Sequence, residues 1–413
     1  MINNRPIKYS ILLPTYNKAK YLAFTIESVL SSKYENFELI ISDDYSTDDT
    51  NKLLSQINDK RVNIIKPPIK LTQTKNYEFL LKYARGEWIT ILGDDDGILP
   101  NFFEKVDKYL DKFYDVEAIH TKPAFYYWDG VEDLYGDRVC DYQNFNEKSK
   151  MKNSMMSLLF SLSGIYLRTD LPMIYTSGLV KKSLLDKIKK KSNNFFFHSV
   201  VPDYYSMISI LYETKKYLQI NEPIFWAGTS KLSTGRSTKI YEDKTNKDIS
   251  LDKFDFINPN LKLSGDISEK LHQIGLSSIY FFECVIDHPY INNKWKSNFI
   301  KYLVYASSCI QFYKINLYYN YRSKINLNLK EFNMIISLEL KKNRLSRVIL
   351  MFFLIPLLLI DQLKKSFLFL YRIKKFIIKK TSKKKYILVS SDRKKFRNII
   401  DCNLFIKNNL NSN

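Results

Sequence analysis

The first hundred residues predict an α/β fold: a mainly parallel central sheet with helices on both faces. Two observations carry that prediction. Short apolar runs end in turn or acidic residues at 8–14, 37–44, 61–66 and 87–92. Between them lie segments whose apolar residues recur at helical spacing. Strands that alternate with helices pair in parallel, and the crossovers cover the sheet.

Each element can be justified in order. "KYSILLP" (8–14) is the first strand, closed by a proline. In 20–32, Leu22, Ile26, Val29 and Leu30 form one helical stripe. "FELIISDD" (37–44) is the second strand. Ser46 with Asp49 three residues later reads as a capping box that opens a helix through Leu54. "RVNIIK" is the third strand, "TKNYEFLLKYARG" a helix stopped by Gly86, and "EWITIL" the fourth strand. A helix is expected near 101–113, then an aromatic stretch "AFYYWDG" and mixed segments to about 236. Residues 240–340 read as helical and rich in aromatics.

Composition narrows the class. The chain has 413 residues, too many for one core, so more than one folding unit is expected. Its formal charge is +21, but 341–413 hold 19 Lys and Arg against 3 Asp and Glu, a net of +16. The rest of the chain is almost balanced. The four cysteines, Cys140, Cys284, Cys309 and Cys402, form no CxxC pair, which predicts neither zinc ribbon nor disulfide framework. The N-terminal apolar run is too short for a secretion signal, so the expected location is cytoplasmic.

The chemical signal is the stretch "ITILGDDDGILP" (89–100). Asp94, Asp95 and Asp96 follow a strand on a glycine-flanked turn. Three adjacent carboxylates need a compensating cation. Hard oxygen ligands with open positions suit Mg²⁺ or Mn²⁺ completed by substrate phosphates. The same residues also suit a solvated acidic loop that caps the next helix. A second acidic pair, Asp43 and Asp44, ends another strand of the sheet, and ligands of such sheets bind beyond the strand ends. There is no GxxxxGK[ST] and no GxGxxG after a strand, which excludes P-loop NTPases and dinucleotide-dependent dehydrogenases.

The segments "ILLPTYNKAKYLAFTIESVLSSKYENFELIISDDYSTDDT", "ARGEWITILGDDDGILP" and "VVPDYYSMISIL" resemble the signatures of family 2 inverting glycosyltransferases with the GT-A fold. The likeness runs over roughly 7–235. It implies a GT-A-like domain, which the helical reading of 240–340 follows with an α-helical C-terminal extension. It also implies residue roles. Pro14, Thr15 and Tyr16 match the loop that contacts the nucleotide base, and Asp43 and Asp44 the carboxylates on base or ribose. Lys75 falls where the family often has an arginine near the donor diphosphate. Asp94–Asp96 cover the metal-binding motif, with Asp96 and then Asp94 the expected ligands, although Gly93 stands where many members carry another Asp. Asp203 matches the general base.

The resemblance therefore implies a Mn²⁺- or Mg²⁺-dependent transfer of sugar from a nucleotide-sugar, UDP-sugars favoured, to a glycan or lipid-linked acceptor in surface polysaccharide or lipooligosaccharide assembly. A sugar-phosphate nucleotidyltransferase and an inactive membrane-bound scaffold are the alternatives. The former should show a glycine-rich loop after the first strand, and "LPTYNKAKY" has no glycine. In the tail, an apolar run at 348–360 is too short to span a bilayer and contains Pro356. Basic residues then alternate with apolar ones to 380, which suits a helix lying on an anionic membrane surface, at the inner face of the cell membrane. The long Leu, Phe and Ile runs speak against nucleic acid. The expected organisation is a donor-binding half (1–105), an acceptor-binding half (106–237), a helical extension (238–340) and a membrane-associating tail (341–413), with the sheet and site complete before Thr238.

Overall fold

The strand register starts from β1 (Tyr9–Thr15), whose residues are nearly all buried, as are those of β2 (Phe37–Asp43) and β4 (Trp88–Ile91). Strands buried along their whole length are covered on both faces. β1 pairs in parallel with β2 and with β4, and β2 pairs in parallel with β3 (Val62–Ile65). The crossovers carry α1 (Ala19–Leu30), α2 (Thr50–Ser55) and α3 (Gln73–Leu81). The computed structural model describes residues 6–145, 149–162, 170–197, 202–233 and 384–410.

Beyond β4 the elements are β5 (Gly97–Ile98), α4 (Phe102–Lys112), β6 (Ala118–Thr121), β7 (Ala124–Tyr127), α5 (Glu132–Tyr135), β8 (Cys140–Phe145), β9 (Lys150–Asn153) and α6 (Ser154–Leu162). Then come β10 (Gly178–Lys181), α7 (Lys182–Lys191), α8 (Pro202–Glu213), β11 (Lys216–Ile220) and β12 (Phe225–Thr229). The last described elements are β13 (Lys384–Ser390) and α9 (Ile399–Leu410). One sheet of eight strands has the order β3-β2-β1-β4-β10-β6-β11-β9, and a second of five has the order β13-β8-β7-β12-β5. The half of the large sheet nearest the N-terminus is all parallel. β10 then inserts antiparallel between β4 and β6.

Two cores hold these layers. Ile11, Leu13, Leu39, Ile41, Phe103 and Leu218 belong to the core of the large sheet, each buried side chain contributing about 1.5–3 kcal/mol. The core of the small sheet joins Tyr126, Tyr142 and Trp226 to Phe396, Ile399, Cys402 and Ile406.

Three local expectations are corrected. Ser46 and Asp49 do not form a capping box: Ser46 Oγ accepts from the Asn17 amide, and Asp48 accepts from Thr50 N and Oγ1 at the start of α2. Gly86 does not stop α3, which ends five residues earlier; its amide donates instead to Ser10 Oγ, 2.7 Å away. The third correction is larger. The expected tail from 341 does not remain separate from the sheets, because β13 pairs antiparallel with β8 along Cys140–Phe145 and α9 packs on α1. The eight-stranded sheet is complete before Thr238, whereas the five-stranded sheet takes its edge strand β13 from Lys384–Ser390. The expected helical extension (238–340) and the apolar, basic stretch (347–380) lie outside the described residues. Among the described residues no helix is long and apolar enough to cross a membrane.

Candidate active site at the ends of β1, β2 and β4

The chain leaves β1 for β2 on one side and returns to β4 on the other. The crevice between such strands is where ligands of open α/β sheets bind. Thr15 ends β1, Asp43 and Asp44 end β2, and Asp94–Asp96 follow β4, so the expected strand-end residues meet at one edge.

The three carboxylates point to different partners. Asp94 accepts from Thr15 Oγ1 at 3.0 Å and from the Lys18 ammonium at 3.1 Å. Lys18 also lies 3.5 Å from Asp95. Burial alone would lower the Lys18 pKa, but Asp94 and Asp95 outweigh it and hold it above the ordinary lysine value. Asp95 accepts from Ser230 Oγ and Ser233 Oγ, each at 2.5 Å. Asp96 accepts from Gly93 N at 3.0 Å, Thr176 Oγ1 at 2.5 Å and Gly228 N at 2.7 Å. Thr25 of α1 donates to the backbone carbonyls of Asp94 and Asp96, and Trp128 Nε1 to that of Asp95. The turn is thus held from α1, β7 and β12 together. Gly228 has a specific steric reason: a Cβ there would run into the Asp95 carbonyl.

Gly93, the departure from the family pattern, is explained by its surroundings. A Cβ at this position would collide with the Tyr175 hydroxyl and the Asp96 carboxylate. Tyr175 is brought there by a loop fastened to β4: Ile91 N donates to Ile174 O and Thr176 N to Ile91 O. The Tyr175 hydroxyl fills the space that a side chain at position 93 would enter.

Asp203 sits in the first turn of α8, after Pro202, and its Oδ1 is buried without a hydrogen-bond partner among the described residues. Burial raises its pKa to about 6. Its charge reaches Tyr77 and Tyr175, whose rings stack with centroids 6.0 Å apart. The same two phenols feel Asp96. The charges of Asp203 and of the β4 turn thus act on the same two tyrosines, Tyr77 buried and Tyr175 half-buried, whose hydroxyls are held neutral by desolvation.

At the β2 end, Asp44 Oδ1 accepts from Leu71 N at 2.8 Å, and burial raises its pKa despite that bond. Asp43 Oδ1 accepts from Ser46 N, while its Oδ2 is buried without a partner among the described residues. Tyr16 is 42% exposed, and Lys70 Nζ lies 2.7 Å from its hydroxyl. Pro14 pairs with Ser42 in the register of β1 and β2. Lys75 is exposed in the first turn of α3, where its amide donates to Thr72 Oγ1. Lys18, Tyr175, Thr176, Ser230 and Ser233 were not anticipated. For Lys18 a signal existed, since it directly follows the "PTYN" turn.

The donor set fits a divalent ion. One ammonium faces three carboxylates, and burial together with the Asp95 charge pushes Asp96 up to about 7. That imbalance is what a hard cation would relieve. Among the described residues no three His, Cys, Asp or Glu side chains converge as a closed cage. Such an ion would take its remaining ligands from phosphate and water, as Mg²⁺ commonly does.

The profile described as Glycosyl transferase family 2 matches residues 10–163, from β1 through the three carboxylates into α6. Glycosyltransferase GlyG of Streptococcus pneumoniae is 35% identical over 99 residues, 23% of this chain and 32% of that protein. The UDP-Glc:alpha-D-GlcNAc-diphosphoundecaprenol beta-1,3-glucosyltransferase WfaP of Escherichia coli is 30% identical over 128 residues, 28% of this chain and 51% of that protein. Among solved structures, S. aureus TarS 1-349 in complex with UDP-GlcNAc has 15% identity and a TM-score of 0.43, covering 74% of this chain and 92% of that one. The chain spans about a third to a half of the length of these curated relatives. Residues 10–163, which hold the strand-end carboxylates of β2 and β4, are similar to glycosyl transferase family 2.

Proposed function

We propose that the protein is an inverting glycosyltransferase that moves a sugar from a nucleoside diphosphate to an acceptor hydroxyl. The observation that carries this reading is electrostatic. A buried acidic turn short of positive charge and a buried carboxylate with a pKa near 6 act on the same two phenols. Such a pairing suits a leaving diphosphate on one side and proton removal on the other.

Each residue has a role in that scheme. Pro14, Thr15 and Tyr16 line the nucleoside, and Asp43 and Asp44 accept hydrogen bonds from base or ribose. Lys75 and Lys18 offer positive charge near the diphosphate. Asp94 already has a cation against it, so charge balance favours Asp96 as the main metal ligand. A bound Mn²⁺ or Mg²⁺ supplies Lewis-acid neutralisation of the leaving group. Asp203 Oδ1 takes the acceptor proton while the acceptor oxygen bonds to the anomeric carbon and the bond to the diphosphate oxygen breaks. A base with a pKa of about 6 is mostly ionised at neutral pH yet basic enough to accept that proton. One displacement inverts the anomeric centre.

The activity named for WfaP, with a UDP-glucose donor and an acceptor on diphosphoundecaprenol, supports a UDP-sugar and a lipid-linked glycan here. The basic, apolar stretch 347–380 would hold the enzyme peripherally on the anionic inner face of the membrane. The test is a screen of nucleotide-sugars for release of nucleoside diphosphate, with Mn²⁺, Mg²⁺ or chelator, and with and without lipid-linked acceptors. Anomeric configuration of the product is read by NMR. No release from any donor, or a retained configuration, would sink the proposal.

A further inference from the structure

We propose that Asn403, on α9, is a positioning residue for the Asp95–Asp96 end of the site, which makes the last described segment a working part of the transferase domain. The kinetic half of this inference rests on the function proposed above; the structural half does not.

The argument begins with a weak ladder. β5 is two residues long and begins immediately after Asp96. Its ladder to β12 is Phe225↔Ile98 and Trp226↔Gly97, followed by one bond from Leu99 N to Ile224 O at 3.0 Å. Yet β12 carries Gly228, whose amide donates to Asp96 Oδ1, and leads to Ser230 on Asp95. The strand pair that brings Gly228 and Ser230 to the two carboxylates, beside the bonds from Thr25, Trp128 and Thr176, is too short to hold itself. Asn403 adds a rung from outside the sheet. Its Oδ1 accepts from Trp226 Nε1 of β12 at 2.7 Å, and its Nδ2 donates to Ile98 O of β5 at 3.0 Å. A side-chain amide offers donor and acceptor in one small planar group at any pH. Asp in its ionised form would lose the donor, and Leu would lose both.

The rest of α9 makes that rung rigid. One turn earlier, Ile399 lies against Gly97. Phe396, Ile399, Cys402 and Ile406 are buried in the core of the small sheet. Ser28 of α1, which lies against Gly97 beside Ile399, accepts from Ile98 N at 3.1 Å, so α1 and α9 together hold β5. A shift of about 1 Å in a catalytic group can cost on the order of 100-fold in rate.

The experiment compares full-length wild type with Asn403→Leu, Trp226→Phe and a control, Ile406→Ala. Ile406 is buried on the same helix, and its aliphatic side chain has no hydrogen bond to give to β5 or β12. Hydrogen exchange without substrate is read on peptides covering 96–99 and 225–229, beside thermal stability and nucleoside diphosphate release. Asn403→Leu and Trp226→Phe should speed exchange in both peptides by about fivefold or more, the equivalent of one lost buried hydrogen bond. They should lower kcat by about 10–100-fold with a smaller change in KM for the donor. Ile406→Ala should lose comparable thermal stability while both peptides and kcat stay near wild type. Unchanged exchange at 96–99 in both bridge variants overturns the inference. So does an Ile406→Ala variant with the same exchange and kcat losses, which would make α9 a general prop. If wild type turns over no nucleotide-sugar, the proposed function fails, and exchange alone still decides whether Asn403 braces the turn.

Discussion

Replacing Asp203 by Asn should raise stability while removing most activity, and the two effects have one cause. Burial lifts the Asp203 carboxyl from 3.8 to about 6. The folded protein therefore holds this proton more tightly than the unfolded chain. Between about pH 4 and 6 the unfolded state gives up the proton first, so stability falls as pH rises through that window. Above it the full cost of a buried charge remains, about 3 kcal/mol from the shift. Asn keeps the shape and never ionises, so Asp203→Asn should gain up to about 3 kcal/mol at pH 7 and nothing at pH 4. The same substitution removes the proton acceptor and should lower kcat by about 10²–10⁴ with donor affinity near wild type. In wild type, kcat/KM should fall about tenfold between pH 7 and 5, because the ionised fraction falls from about nine-tenths to about one-tenth. Urea unfolding at pH 4 and 7, with steady-state release of nucleoside diphosphate across pH, tests both halves. An Asn variant that is less stable at pH 7 would refute the buried-charge argument. Loss of donor binding in place of turnover would refute the role as base.

Other perturbations address the β4 turn and the stretch outside it. Asp96→Asn should abolish most Mn²⁺-dependent turnover and weaken binding of Mn²⁺ with nucleoside diphosphate by calorimetry; near-normal activity in chelator would contradict the metal assignment. Lys18→Met leaves Asp94 and Asp95 buried beside each other without their ammonium, a loss of about 3–5 kcal/mol. Millimolar Mg²⁺ should recover part of that loss in urea unfolding, and an unchanged unfolding midpoint would remove Lys18 from the site. Gly93→Ala should lose about 1–3 kcal/mol by overpacking and regain part of it in combination with Tyr175→Phe, which frees the space of the hydroxyl. The full chain should float with vesicles containing anionic lipid and release from them as salt rises, whereas equal binding to zwitterionic vesicles would reject the basic stretch as the contact.

The parallel half of the large sheet was legible because its signal is local. Each strand is a short apolar run, each crossover has a helical stripe, and the acidic pairs mark the strand ends. Boundaries were less legible where a side chain served a distant partner. Ser46 looked like a cap because its spacing to Asp49 fits one, but its hydroxyl serves Asn17 on the neighbouring loop. Gly86 looked like a helix stop, but its amide serves Ser10 on β1. In both cases a tertiary hydrogen bond replaced the local one that the pattern suggested.

The site was half legible for the same reason. The three carboxylates announce themselves by adjacency, and their need for a cation follows from charge alone. The identity of that cation does not, because Lys18 is separated from Asp94 by 76 residues and meets it only through the parallel pairing of β1 and β4. Asn403 is farther still, 305 residues from Ile98. Its neighbourhood also carries a misleading signal. The net charge of +16 over 341–413 draws the eye to a membrane, although α9 buries Ile399, Cys402 and Ile406 in the core of the small sheet. Charge averaged over seventy residues conceals the short apolar stripe, and the stripe decides where the helix goes. A truncation at 346 would therefore strip β13 from β8 and uncover Tyr126, Tyr142 and Trp226. A variant meant to separate membrane contact from catalysis has to keep 384–410 and alter the charges of 347–380 in place.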